Sequence, residues 1–189
     1  MKLCVFQGTF NPVHNAHLLM ANHVLNNYGF DKIIFIPAFK PPHKDYDESL
    51  SLHRLNMVKL ATEDNPKFEV SDIEYKKDQK SYTYLTILEL YKKYGTDDKI
   101  NFIIGTDAFK KIDSWYEADK LKPLLKFIVF KRENEPKLNI KNCDYEYTTM
   151  PFYDISSTEI RDNIKSGKDI SNLVTEKVKR YIEENGLYK

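Results

Sequence analysis

Short apolar runs alternate along the chain with longer stretches whose apolar residues recur every three or four positions. Residues 2–7 (KLCVFQ) form an apolar run that stops at Gly8. Residues 16–28 then place Leu18, Leu19, Ala21, Val24 and Leu25 at helical spacing, with Gly29 following as a C-cap. Residues 32–36 (KIIFI) are β-branched and aromatic and predict a second strand ending at Pro37. From Pro37 to Glu48 the chain is rich in Pro, Lys and Asp without periodicity, which reads as a loop. Ser51 is placed to cap a helix through Thr62, whose apolar positions include Leu52, Leu55, Val58 and Leu60. Residues 68–75 alternate like a strand, and Thr83 to Tyr94 is helical up to Gly95. Strands follow at 99–104 and 125–130, with a weaker one at 145–150. Two helices close the chain, about 157–166 ending at Gly167 and about 172–185 ending at Gly186.

Strand–helix alternation at this spacing predicts βαβ units, hence an α/β fold with a doubly wound, mainly parallel sheet. No repeat, low-complexity tract or clear linker interrupts the chain, so residues 1–189 are expected to form one domain, with the helices at about 157–185 packed on it. Ligands of such sheets bind beyond the carboxyl ends of the strands. That directs the search for chemistry to the segments from Gly8 to His17, from Pro41 to Lys44, and from Gly105 to Asp107.

Composition narrows the options. With 189 residues, 13 tyrosines and 11 phenylalanines, the chain can bury a substantial core, which argues against disorder. A formal net charge of +1, with basic residues interspersed among acidic ones, gives no stripe for nucleic acid and no field toward anionic lipid. No apolar run approaches the roughly 18 residues of a membrane span. Cys4 and Cys143 have no metal-ligand spacing; Cys4 reads as a small core residue, and a reduced, cytoplasmic setting is expected. The six glycines never stand two apart, which excludes G-x-G-x-x-G, and none precedes Lys and then Ser or Thr. A nucleotide bound here is held without either common glycine-rich loop.

The chemistry concentrates after the first strand. His14 and His17 stand three apart at the entry to a helix, on one side of its first turn, beside unpaired backbone N–H groups and the positive dipole end. Two potential cationic donors at that address suit a phosphate, above all charge developing on a transferring phosphoryl group. Zinc is the competing reading, but His-x-x-His has no obvious third ligand, and no metal site is expected. Near the C-terminus, Ser156, Ser157 and Thr158 precede a helix, with Ser156 or Ser157 a natural N-cap. Arg161 lies one turn in, where a guanidinium can grip phosphate oxygens. Lys44 can bring a positive charge toward a phosphate from a loop stiffened by Pro41 and Pro42. Trp115, with polar neighbours, could be a partly exposed ring that stacks on a flat heterocycle. Ser81-Tyr82-Thr83 opens a helix whose free N–H groups can receive a carboxylate. Each feature alone also has an ordinary structural explanation: a loop histidine, a capped helix, an exposed lysine, a core tryptophan.

The segment Gly8-Thr9-Phe10-Asn11-Pro12-Val13-His14-Asn15-Ala16-His17 resembles the signature of the HxGH nucleotidyltransferases, G-[ST]-F-[DN]-P-x-H-x-G-H. Ile155-Ser156-Ser157-Thr158-Glu159-Ile160-Arg161 resembles the second signature of that superfamily. Between them, Pro41-Pro42-His43-Lys44, Ser81-Tyr82-Thr83, Gly105-Thr106-Asp107 and Trp115 are similar to the bacterial nicotinate-nucleotide adenylyltransferases, and the likeness runs from residue 2 to the last helix. Two positions depart from the pattern: Ala16 replaces the usual glycine, and Gln7 stands where a first glycine is common. Ala16 adds a methyl group near the nucleotide and requires a helical φ.

The resemblance implies a Rossmann-like nucleotidyltransferase fold and an enzyme that joins nicotinate mononucleotide to the AMP moiety of ATP, releasing pyrophosphate. It implies roles for His17 at the α-phosphate, His14 and Arg161 at the triphosphate, and Lys44 in phosphate neutralisation. Gly8, Thr9, Phe10, Gly105, Asp107, Ile155, Ser156 and Thr158 are then expected around ATP, with Asp107 near its ribose. Tyr82, Thr83 and Trp115 are expected around the nicotinate ring. Mg²⁺ is expected to arrive with ATP, and a homo-oligomer is compatible with everything above. The alternatives are a related enzyme acting on nicotinamide mononucleotide or phosphopantetheine, or a non-catalytic nucleotide-binding module.

Overall fold

Alternate residues of the strands are apolar on both sides, so the sheet must be covered on both faces, and in the computed structural model it is. Residues 2–42, 47–132, 134–151 and 154–189 are described. Six strands form one sheet: β1 (Leu3–Gly8), β2 (Lys32–Pro37), β3 (Phe68–Val70), β4 (Ile100–Gly105), β5 (Leu125–Phe130) and β6 (Asp144–Thr148). All pairings are parallel, in the order β3-β2-β1-β4-β5-β6. The chain winds outward from β1 in one direction, returns, and winds outward in the other. The crevice between β1 and β4 is therefore the place where strand order reverses, and Gly8 and Gly105 end the two strands that flank it.

The helices are α1 (Asn15–Tyr28), α2 (Ser51–Thr62), α3 (Thr83–Tyr94), α4 (Thr106–Phe109), α5 (Ala118–Leu121), α6 (Ser157–Lys165) and α7 (Glu176–Glu184). One core lies between Cys4, Phe6, Ile33, Phe35, Ile103 and Ile128 of the sheet and apolar residues of α1, α2, α6 and α7. The other lies between Val5, Ile34, Ile36, Phe102, Ile104 and Phe127 and residues of α3, α4 and α5. The period of two sends neighbouring strand residues to opposite layers. Each large side chain so buried contributes roughly 1.5–3 kcal/mol. α1 ends at Gly29 with φ 63°, a left-handed conformation that glycine adopts without the Cβ penalty.

Several expectations need adjustment. Only Phe68–Val70 of the 68–75 segment pairs with β2; Ile73–Lys76 coils into a 3₁₀ turn that carries Glu74 inward, so the alternation of apolar residues outlasts the strand. Ser51 is not the cap of α2: Asp47 caps a preceding 3₁₀ turn at Glu48–Leu50, and Ser51 is buried inside the helix. The last helix begins at Glu176, where the Thr175 hydroxyl accepts from the Val178 N–H at 3.3 Å. Cys4 and Cys143 are both free. Among the described residues, no helix is long and apolar enough to cross a membrane.

Candidate active site

The turn from β1 into α1 is built by packing. Phe10 has φ 49° and is 2% exposed, its ring edge-on to Phe6 at 5.5 Å and to His17 at 5.0 Å. A Cβ at Gly8 would lie 3.0 Å from that ring. A side chain at Gly8 would therefore collide with the Phe10 ring, which gives this glycine a packing reason of its own. Phe10 itself is core, and only its backbone can face a ligand.

His14 is the N-cap residue of α1 and His17 its third helical residue. Their rings stack, with centroids 3.6 Å apart and planes 23° apart. The His14 backbone N–H donates to His17 Nδ1 at 3.2 Å. That bond assigns the tautomer: a neutral His17 carries its proton on Nε2, which is then a donor. His14 is 6% exposed, its Nδ1 is buried without a hydrogen-bond partner, and burial lowers its pKa to about 4. His14 is thus neutral near pH 7, which corrects the expectation of two cationic donors. The expectation of unpaired amides is also reduced, because the Asn15 N–H donates to the Leu173 carbonyl at 2.9 Å. Ala16 sits in the first turn with helical geometry, as its methyl group requires.

The second motif closes onto the first. Ser156 caps α6, accepting from the Glu159 N–H at 3.1 Å. Arg161 donates through Nη1 to the Asn11 carbonyl at 2.7 Å and through Nη2 to Thr158 Oγ1 at 3.2 Å. Ser157 Oγ donates to the Pro12 carbonyl at 2.9 Å, and the Tyr188 hydroxyl to Asn11 Oδ1 at 2.6 Å. The N-termini of α1 and α6 thus meet at one turn. Ile155 is half-buried against the core beneath α1 and α6. Thr9 contributes its carbonyl to the buried Arg54, at 2.9 Å.

Across the β1–β4 crevice, Gly105 is the N-cap of α4, and a Cβ there would meet nothing within 4 Å. Asp107 lies in the first turn of α4, exposed, with Lys110 Nζ 3.9 Å away. It is not a cap, so its acidic side chain is left toward solvent at the carboxyl edge. Tyr82 is the N-cap residue of α3 and Thr83 its first residue. Tyr82 stacks on Tyr116, with centroids 4.4 Å apart, which brings the start of α3 beside the Trp115 segment. Trp115 itself is half-buried, edge-on to Phe102 at 6.4 Å. Lys44 lies outside the described residues.

Beside this turn, the buried Arg54 and Glu74 escaped the sequence reading. Arg54, 1% exposed, projects from α2 to Thr9, Ala38 and Phe39 carbonyls. Glu74, 7% exposed, accepts from Gln7, Thr86 and the Phe39 N–H. Their only sequence signal is faint: an arginine within an amphipathic helix of a chain with four, and a glutamate inside an alternating apolar segment. Among the described residues no three His, Cys, Asp or Glu side chains are grouped to hold a metal ion.

The sheet order, the switch-point crevice and the paired helix N-termini define an α/β protein of the nucleotidyltransferase class. The sequence pattern described as cytidylyltransferase-like matches residues 5–163. A solved structure of Plasmodium falciparum nicotinic acid mononucleotide adenylyltransferase complexed with NaAD has the same fold, with a TM-score of 0.82 at 23% identity, covering 98% of this chain and 96% of that one. The nicotinate-nucleotide adenylyltransferase of Bacillus subtilis is 42% identical over 190 residues, covering 100% of this chain and 98% of that protein. A probable nicotinate-nucleotide adenylyltransferase of Fusobacterium nucleatum is 41% identical over 97% of this chain and 98% of its own length. The chain belongs to the cytidylyltransferase-like family, among its nicotinate-nucleotide adenylyltransferases.

Proposed function

We propose that the chain catalyses adenylyl transfer from Mg-ATP to nicotinate mononucleotide, forming nicotinic acid adenine dinucleotide and pyrophosphate for NAD biosynthesis. The observation that carries this is the union of both motifs on one turn, His14 and His17 on α1 and Arg161 reaching it from α6, in a chain 42% identical to the B. subtilis enzyme over its full length. The 5′-phosphate of the acceptor is already an anion, so it attacks the α-phosphorus in line without a general base, and the bond to pyrophosphate breaks. Catalysis then consists of positioning and charge stabilisation.

His17 donates from Nε2 to an α-phosphate oxygen as charge grows there. The orphaned Nδ1 of His14, buried beside it, gains a partner when phosphate is present. Arg161 has five N–H donors and keeps some for the triphosphate after its bonds to Asn11 and Thr158. Lys44 is assigned the neutralisation of phosphate charge. The backbone from Gly8 to Phe10, with Gly105, Asp107, Ile155, Ser156 and Thr158, surrounds ATP. The open space at Gly105 and the solvent-facing Asp107 suit ribose and phosphate. Tyr82, Thr83 and Trp115 take the pyridine and its carboxylate at the start of α3. Mg²⁺ would arrive with ATP and offset the charge of the triphosphate. This reading takes the reaction to be cytoplasmic and carried by one domain, and a homo-oligomer is compatible with it.

The test is pyrophosphate release from Mg-ATP with nicotinate mononucleotide, nicotinamide mononucleotide and phosphopantetheine in parallel. Turnover with the first at least tenfold above the others is expected; equal rates with both pyridine nucleotides would defeat the proposed selectivity. His17→Ala should lower kcat by about a hundredfold or more with the fold intact, and near-normal turnover would remove His17 from its role.

A further inference from the structure

The phosphate chemistry above leaves the buried Arg54 and Glu74 unused. Both grip the same stretch of backbone. After β2 the chain runs through Ala38, Phe39 and Lys40, and every hydrogen-bonding group of the Phe39 backbone is held by a charged side chain. Arg54 Nη2 donates to the Phe39 carbonyl at 3.0 Å, and the Phe39 N–H donates to Glu74 Oε2 at 3.2 Å.

From this stretch each charge reaches a different part of the site. Arg54 also donates to the Thr9 carbonyl at 2.9 Å, inside the turn that leads to His14, and to the Ala38 carbonyl. Glu74 accepts from Thr86 Oγ1 at 2.6 Å, one turn into α3, and from Gln7 Nε2 on β1. The backbone completes the bridge. Ala38 N–H donates to the Gly8 carbonyl at 2.8 Å, while Lys40 and Ser81 exchange hydrogen bonds of 2.9 Å just before α3. The turn after β1 and the start of α3 are thus joined through one segment, with an arginine on one side and a glutamate on the other.

The chemistry of the contacts explains why charges stand here. The Thr9, Ala38 and Phe39 carbonyls accept from Arg54, and Gln7, Thr86 and the Phe39 N–H donate to Glu74, so an apolar residue in either place would strand buried polar groups. The planar guanidinium can span separate carbonyls at once, which a lysine ammonium cannot do with fixed geometry. Gln7, where glycine is common in the family pattern, supplies the direct link from β1 to Glu74.

We propose that Arg54 and Glu74 are positioning residues that set the spacing between the ATP half-site at the β1–α1 turn and the pyridine half-site at the start of α3, by clamping Phe39 between them. This rests on the proposed adenylyl transfer, which requires the two nucleotides to be aligned in line. Neither residue needs to touch a nucleotide, so each half-site should bind its own ligand without them. Alignment is what fails, and a misplacement of about 1 Å can cost on the order of a hundredfold in rate.

The experiment compares wild-type protein with Glu74→Gln, Arg54→Lys and Thr86→Val. It measures kcat by pyrophosphate release, the separate affinities for ATP and for nicotinate mononucleotide by calorimetry, and thermal unfolding. Glu74→Gln and Arg54→Lys are each expected to lower kcat at least tenfold while both separate affinities stay within threefold of wild type. Thr86→Val removes one donor to Glu74 at nearly constant volume and should lower kcat about threefold; it decides the matter if the charge variants do not fold. Wild-type kcat in the folded variants, or a parallel loss of both affinities with melting temperature, would overturn the inference and leave the functional reading standing. Wild-type protein without turnover would overturn the functional reading itself, and the spacing role with it.

Discussion

His14 and His17 stack as near neighbours, but His14 is buried and His17 only half-buried. Burial holds His14 at about 4 against an ordinary 6.5, so between those values the unfolded chain binds the proton more readily than the folded one. The stability this contributes is present above pH 6.5 and is lost as pH falls toward 4, by on the order of 3 kcal/mol in all. Urea unfolding of ligand-free protein at pH 7.5, 6 and 4.5 should show this decline in wild type and a shallower one in His14→Gln. Equal slopes would mean that another group governs the acid limb. His17 is steered differently, by the bond from the His14 N–H that directs its Nε2 proton outward. The i, i+3 spacing revealed the pair, but not which ring would be covered.

At the scale of elements, two helix caps of similar chemistry sit in different surroundings. Ser156 accepts from the Glu159 N–H at the start of α6, beside the Asn11–Pro12 turn, and Thr175 accepts from the Val178 N–H at the start of α7, which packs on α2. Replacing either by alanine should cost about 1 kcal/mol of stability. Only Ser156→Ala should also raise the KM for ATP, by about threefold or more, while Thr175→Ala leaves kinetics unchanged. Chemical denaturation and steady-state kinetics on both variants check this; identical kinetics would reduce Ser156 to a cap. These boundaries also show where sequence periodicity stops being informative. α1 and α3 were legible from apolar spacing and a terminal glycine, and the structure reproduces α3 residue for residue. The short helices α4 and α5 carry too few turns to establish a period. The 68–75 alternation misled because a 3₁₀ turn can also present an apolar face.

At the scale of the whole molecule, the site depends on residues far apart in the chain. Tyr188 donates to Asn11 Oδ1 at 2.6 Å across a separation of 177 residues, while Arg161 holds the neighbouring carbonyl. Losing one such bond is worth roughly 0.5–1.5 kcal/mol, so Tyr188→Phe should raise the KM for ATP about threefold to tenfold with little change in secondary structure. Kinetics at wild-type levels would show that the tail does not steady the turn. What the sequence determined by itself is local: strands and helices by hydrophobic period, the α/β class by their alternation, and both motifs by residue type and spacing. Tertiary structure decided what depends on contacts between distant segments. It reserved the space at Gly8 for Phe10, neutralised His14 by burial, and turned Arg161 onto the Asn11 carbonyl. It also buried Arg54 and Glu74 around Phe39. The physical reason is that a side chain's charge, tautomer and partners are set by what surrounds it in space, and periodicity describes only its neighbours along the chain.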